Sequence, residues 1–233
     1  MDNSHERDVK AVLRETLARW LRRAGSFTLP IVLVLVAAPR FVSGLATEAA
    51  FPIPIYLSMN VRVPTESYRI ARDRLMRADP SDGDAKIAQA EAGIYSGANP
   101  ISTVQILEEG LSLAPASARG WMLLAEQSAH SDTKRAALAL TVSLELDEFD
   151  YWLVDRRIRD AALLWHVMPV AGKGYTFRQI RLIWQTPILR ARIEPLLAEQ
   201  GVAAIFSRAF AGDRETLRAI NRWRAASHRS RNF

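Results

Sequence analysis

Apolar residues recur at three- and four-residue intervals through most of this chain, and that spacing predicts one helix after another. Val9, Leu13, Leu17, Trp20 and Leu21 mark an amphipathic stretch over residues 4–24. Arg7, Lys10, Arg14, Arg19, Arg22 and Arg23 fill much of its other side. The pattern then changes. Residues 27–38 form a nearly unbroken apolar run, interrupted by Pro39 and Arg40 and followed by small and apolar residues to Ala50. Residues 51–64 carry Pro52, Pro54 and Pro64, which disfavour continuous helix and favour extended backbone. Ile53, Ile55 and Leu57 alternate there, as in a short strand, and the segment reads as an apolar linker over residues 51–65. The helical period returns at Glu66 and continues to the C-terminus.

Three stretches within this helical part end alike: residues 75–80, residues 110–115 and residues 143–147. Met76 to Leu111 is 35 positions and Leu111 to Leu144 is 33. A period in the mid-thirties points to stacked helical hairpins. Leu107, Gly110 and Pro115, with Thr103 one turn earlier, read as the second helix of one hairpin. Trp121, Leu124 and Ala125 read as the first helix of the next, and Ala136, Leu140 and Ser143 as its second. On these residues the chain resembles tetratricopeptide repeats over residues 66–150. It departs from them at Ala90-Glu91 and in the first stretch, which matches only a closing half. The resemblance implies an all-α architecture of stacked hairpins, and a stack of this kind needs a cap.

The cap is expected from residues 151–233. Ile158, Ala161, Ala162, Leu164 and Trp165 keep helical spacing, and residues 169–174, with Pro169, Gly172 and Gly174, read as a loop. Residues 177–184, 188–200, 202–210 and 214–226 follow as short helices, with Asp213 as an N-cap. About nine or ten helices are therefore expected from residue 66 onward. Most of the six tryptophans fall at positions that read as core.

Charge divides the chain further. The net +6 is the balance of an acidic block and a basic one. Residues 66–150 hold 8 basic and 14 acidic side chains, and residues 151–233 hold 15 basic and 6 acidic. Residues 1–25 read as a cytoplasmic amphipathic segment and residues 26–50 as a membrane anchor. A run of about 20 residues is needed to span a bilayer, and residues 26–46 reach that length if Arg40 snorkels to the far interface. A cleaved signal peptide, with Gly44-Leu45-Ala46 before the cut, and a buried helix are the other readings. Arg19, Arg22 and Arg23 ahead of the run place the N-terminus in the cytoplasm and the rest across the inner membrane, in the periplasm.

Chemistry adds little. The chain has no cysteine, which excludes disulfides, thiol catalysis and cysteine metal sites. His5, His130, His166 and His228 share no metal-ligand spacing, and His166 reads as a packed helix residue. Gly172-Lys173-Gly174 lacks the rest of a phosphate loop. Glu108-Glu109 and the acidic run from Glu145 to Asp150 read as solvated faces. No cofactor, metal or catalytic residue is expected. Arg214, Arg218 and Arg222 line one helix face opposite Leu217, Ile220 and Trp223, and Arg178 and Arg181 stand opposite Phe177. These five arginines are the candidate contacts for an anionic partner, a lipid headgroup or an acidic glycan, whereas nucleic acid is not expected of an exported domain.

The functional expectation is a non-catalytic, membrane-anchored scaffold. It would present a repeat domain to a protein partner in a membrane complex. The resemblance implies a role in cell-envelope assembly, exopolysaccharide biosynthesis above all. The alternatives are a small membrane-associated enzyme or glycan-processing accessory, and a soluble cytoplasmic adaptor.

Overall fold

A computed structural model describes residues 63–76, 81–148 and 150–230, together with Ala38, Phe41 and Leu45; side chains at 224 and 226–230 are outside the description. The amphipathic segment, most of the anchor and most of the linker therefore lie outside the described residues. Ala38, Phe41 and Leu45 are helical and exposed. Among the described residues no helix is long and apolar enough to cross a membrane.

The described residues are helical, with no strand. In chain order they form α1 (Thr65–Leu75), α2 (Gly83–Tyr95), α3 (Pro100–Leu113), α4 (Ala118–Ser128) and α5 (Thr133–Leu146). Then come α6 (Val154–Leu164), α7 (Val170–Gln185), α8 (Pro187–Ile193), a 3-10 turn (Glu194–Ala198), α9 (Gln200–Ala209) and α10 (Arg214–Ser230). The starts of several helices are written locally. The side chains of Asp82, Asn99, Ser117 and Asp132 each accept a backbone N–H of the first turn that follows. Gly97 takes the left-handed φ of +77° that ends α2 and lets the chain turn back into α3.

Short connections make α2 with α3, and α4 with α5, adjacent hairpins. Alternate helices then form two layers. Ion pairs link α2, α4 and α6 through Glu91, Arg119, Glu126 and Arg156. In the other layer Glu108 of α3 pairs with Arg135 of α5, and α5 packs on α7. Small residues set the spacing: a Cβ on Gly110 would stand 2.9 Å from Ile87 and 3.1 Å from the carbonyl of Gly83. Of the residues that carry the repeat spacing, Thr103, Leu107, Gly110, Leu124, Ala125, Ala136, Leu140 and Ser143 are buried, Trp121 is half-buried and Pro115 is exposed.

One core runs from Ile87 to Ile220, with no break at residue 150. A smaller cluster joins Tyr68, Ala71 and Leu75 of α1 to Ala85, Ala88 and Ala92 of α2. The C-terminal helices close the far end, where α6 packs on α9 and the 3-10 turn packs on α10.

Three local expectations change. Residues 169–174 are not a loop, because Pro169 precedes α7 and Gly172 lies within its first turn. Gly172 is buried against Thr141 of α5, and any Cβ there would collide with the Thr141 hydroxyl. A tertiary approach, not a turn, explains this glycine. His166 is exposed in the turn after α6 rather than packed. None of the five described tryptophans is fully buried. Trp121, Trp165, Trp184 and Trp223 lie against the edge of the core, and Trp152 is exposed.

Arg157 joins the two halves. It is fully buried, yet no ion pair is formed by it among the described residues. Its guanidinium donates to the Ser143 carbonyl at 2.7 Å, to Ser143 Oγ at 3.0 and 3.1 Å, and to the Asp147 carbonyl. Ser143 Oγ donates in turn to the Ala118 carbonyl of α4 at 2.6 Å. The cation thereby satisfies carbonyls at the C-terminal end of α5, where the helix dipole is negative. Burial pushes its pKa down to about 10, so it stays charged at neutral pH. Arg157→Met is expected to leave those carbonyls unpaired. A cost of about 2–4 kcal/mol, from carbonyls left without a donor, corresponds to a Tm lower by roughly 10 °C. Arg157→Lys should lose most of the same stability, because an ammonium lacks the planar fork that reaches all three acceptors. Thermal unfolding followed by circular dichroism measures both.

Candidate functional site

The layer made by α2, α4 and α6 carries a connected set of charges. Glu91 stands in an alanine-rich part of α2 and is 2% exposed. Its Oε2 accepts from Arg119 at the start of α4, and its Oε1 lies 3.7 Å from Arg156 Nη1. Arg156, in the first turn of α6, grips Glu126 of α4 with two parallel bonds, one of them Nε to Oε1 at 2.6 Å. Such a fork is the favoured geometry for a guanidinium and a carboxylate. The order is thus Arg119, Glu91, Arg156, Glu126, alternating in sign across three helices.

Two titratable groups stand beside this chain of charges, each one helical turn from a member. Asp160 follows Arg156 by four residues on α6. Burial, chiefly, and the nearby Glu126 push its carboxyl up to about 7, against the opposing pull of Arg156 and Arg159. Asp160 Oδ2 is buried and accepts no hydrogen bond from the protein, and the same holds for Glu91 Oε1. Tyr95 follows Glu91 by four residues on α2, stacks on Tyr68 with ring centroids 5.2 Å apart, and has its hydroxyl pKa raised by burial. Arg119 is held down to about 10 by burial and by the neighbouring Arg156.

A cleft of about 630 Å³ opens at one edge of this layer, between the start of α3 and the end of α4. Its two walls differ. Pro100, Ile101 and Val104 of α3 make a largely apolar side, with Gln105 as its polar member, and Ile101 is 72% exposed. Glu126, Gln127, His130 and Ser131 make a polar side, with Glu126 already held by Arg156. The volume lies within the range of ordinary ligand sites. No group of three or more metal-binding side chains occurs among the described residues.

The five arginines singled out by sequence are not one cluster. Arg178 is exposed and pairs with Glu148 at 2.7 Å, so it has a partner within the chain. Arg181 is exposed and its Nε donates to the Ala209 carbonyl at 3.2 Å. Arg214, Arg218 and Arg222 are exposed on α10, while Ile220 is buried and Leu217 and Trp223 half-buried. Asp213 caps that helix through its bond from the Thr216 N–H at 3.0 Å. The acidic pairs are also spoken for: Glu109 pairs with Lys86 at 2.6 Å and Glu108 with Arg135. Sequence reading missed Glu91, Arg156 and Asp160, because their partners lie on other helices. The one local signal was a glutamate interrupting the small and apolar face of α2.

Asp160 gives the domain a pH dependence with a definite sign. A carboxyl raised from 3.8 to about 7 stabilises the fold fully at low pH, and this contribution is lost as pH rises through 7. Asp160→Asn is expected to flatten the fall in Tm between pH 5 and pH 8. At pH 8 it should be the more stable chain, by up to about 4 kcal/mol. Thermal unfolding across that range measures it, and equal slopes for the two chains would contradict the assignment.

The chain matches no known protein-family model, no curated protein and no solved structure.

Proposed function

We propose that this protein is a non-catalytic adaptor whose helical-hairpin domain receives a segment of a protein partner in the cleft between α3 and α4. The observation that carries this reading is the pair of unlike walls. An apolar side chain that is 72% exposed, Ile101, borders a cleft whose opposite side offers amide, imidazole and hydroxyl groups. A peptide segment with one apolar anchor and a free backbone suits both sides. Stacked hairpins support the reading as well, since they hold such a cleft on rigid helices.

The wider setting comes from the sequence. Residues 26–50 would anchor the chain in the inner membrane with its N-terminus cytoplasmic. The domain would then stand in the periplasm, as a scaffold in cell-envelope or exopolysaccharide assembly. One observation favours the rival reading, a small membrane-associated enzyme: the near-neutral acidity of Asp160, with its unpartnered oxygen. The neighbouring carboxylate that would assist it, Glu126, is held by Arg156.

Ile101→Asp separates partner binding from folding. The site is exposed and in the first turn of α3, where an acidic side chain suits the helix dipole. The substitution is expected to leave Tm within about 2 °C. A photo-crosslinker at Gln105 should capture one membrane-fraction protein from the parent chain and at least tenfold less of it from the variant. Equal capture by both would overturn the proposal. A periplasm-active reporter fused after Phe233 tests the topology, and an inactive reporter would favour a cytoplasmic adaptor.

A further inference from the structure

Cations in the domain fall into two groups. Lys86, Arg119, Arg156 and Arg159 of the α2, α4 and α6 layer each face a carboxylate, and so do Arg178 of α7 and Arg192 of α8. Lys173, Arg181, Arg190 and Arg208 do not: among the described residues none of the four forms an ion pair. Three of them, Lys173, Arg190 and Arg208, instead stand over aromatic rings. Lys173 lies 5.5 Å and Arg208 5.7 Å from the Trp165 ring, which itself meets Phe177 at 5.2 Å. Arg181, one turn past Phe177, is bonded to the Ala209 carbonyl, next to Phe210. Phe210 meets Trp184 at 5.8 Å, and Trp184 meets Trp223 at 5.4 Å. Arg190 covers both of those indoles, at 5.6 and 5.8 Å. The result is a ladder of two clusters of half-buried rings with cations over each, one at Trp165 and one at Trp184, carried by α7, α8, α9, α10 and the turn after α6.

We propose that this ladder docks on the headgroup plane of an anionic lipid bilayer. Charge complementarity is the first argument. Four cations without carboxylates, with exposed Arg214, Arg218 and Arg222 of α10 adding to the basic charge of the same half, match many single anions spread over a plane. The rings are the second. Cations occupy faces of Trp165, Trp184 and Trp223 that a sugar would need for stacking, which favours headgroups over an acidic glycan. Exposed aliphatic side chains are the third. Val170 is 87% exposed one turn before Lys173, and Ile188 is 67% exposed two residues before Arg190. Side chains of this kind are accepted at the boundary between headgroups and acyl chains.

The chain has no cysteine, so one introduced thiol is a unique probe. Ile188→Cys in the full-length chain, carrying a polarity-sensitive fluorophore, is mixed with phosphatidylcholine vesicles with and without phosphatidylglycerol. The expected result is a blue shift on the anionic vesicles only, reversed at 0.5 M NaCl. Leu138→Cys, exposed on α5, serves as the control and should show no shift. Adding Arg190→Gln and Arg208→Gln should raise the lipid needed for half the shift about fivefold per charge, or roughly 30-fold together, with Tm unchanged. Equal shifts on neutral and anionic vesicles would overturn the proposal, and so would equal shifts at the two labelled positions. A shift with soluble polygalacturonate but none with vesicles would overturn it in favour of a glycan site. Because the label reports only its own surroundings, insertion of residues 26–50 cannot mimic the result, and the α3–α4 cleft plays no part in it.

Discussion

A single buried guanidinium holds the domain together as one body. Arg157 enters from α6 and ends α5, and through Ser143 it reaches the first turn of α4. A buried cation is expensive to desolvate, and a neutral residue that packed well could be cheaper. What an apolar residue cannot do is satisfy three acceptors at once. Layers made of separate hairpins need such a junction, since each hairpin alone leaves one apolar face uncovered. The continuous core from Ile87 to Ile220 passes through this point. The C-terminal helices are therefore part of the same stack and not an appended unit.

Electrostatics then divides what packing unites. Around Glu91 the charges neutralise one another inside the molecule, across three helices. Bonds of this type fix which helices are neighbours, and they leave little field outside. Around Trp184 the cations rest on rings, which hold the guanidinium in place without cancelling its charge. One end of the stack thus pairs its cations with carboxylates and keeps an acidic excess, and the other keeps a basic one. The formal blocks of 8 against 14 and 15 against 6 already contain that contrast. The structure shows where it is spent.

Much of this was readable from spacing alone. The buried stripe through Leu107, Leu124, Ala125, Ala136 and Leu140 follows the helical period, and α10 shows its arginines outward and Ile220 inward as its pattern demands. What failed was punctuation. Pro169 and Gly172 look like a turn because both residues are common in turns, but here the proline precedes a helix and the glycine admits Thr141. Tryptophans misled for a related reason. Their size suggests core, while Trp165, Trp184 and Trp223 sit where the core ends and cations begin. The Glu91 network was illegible in principle, because its members are 28 and 30 residues apart in sequence. No local period records a partner on another helix.

The first helix differs from all the others in how it is attached. Its contacts are a small cluster of Tyr68, Ala71 and Leu75 on an alanine face of α2, separate from the main core. Alanine faces approach closely but bury little area per residue. Any pull that reaches the domain through the chain before Val63 is borne by α1 before it is borne by the stack. In mechanical terms α1 takes such a load ahead of the stack, and its release would add its own contour length to the tether before any hairpin is strained.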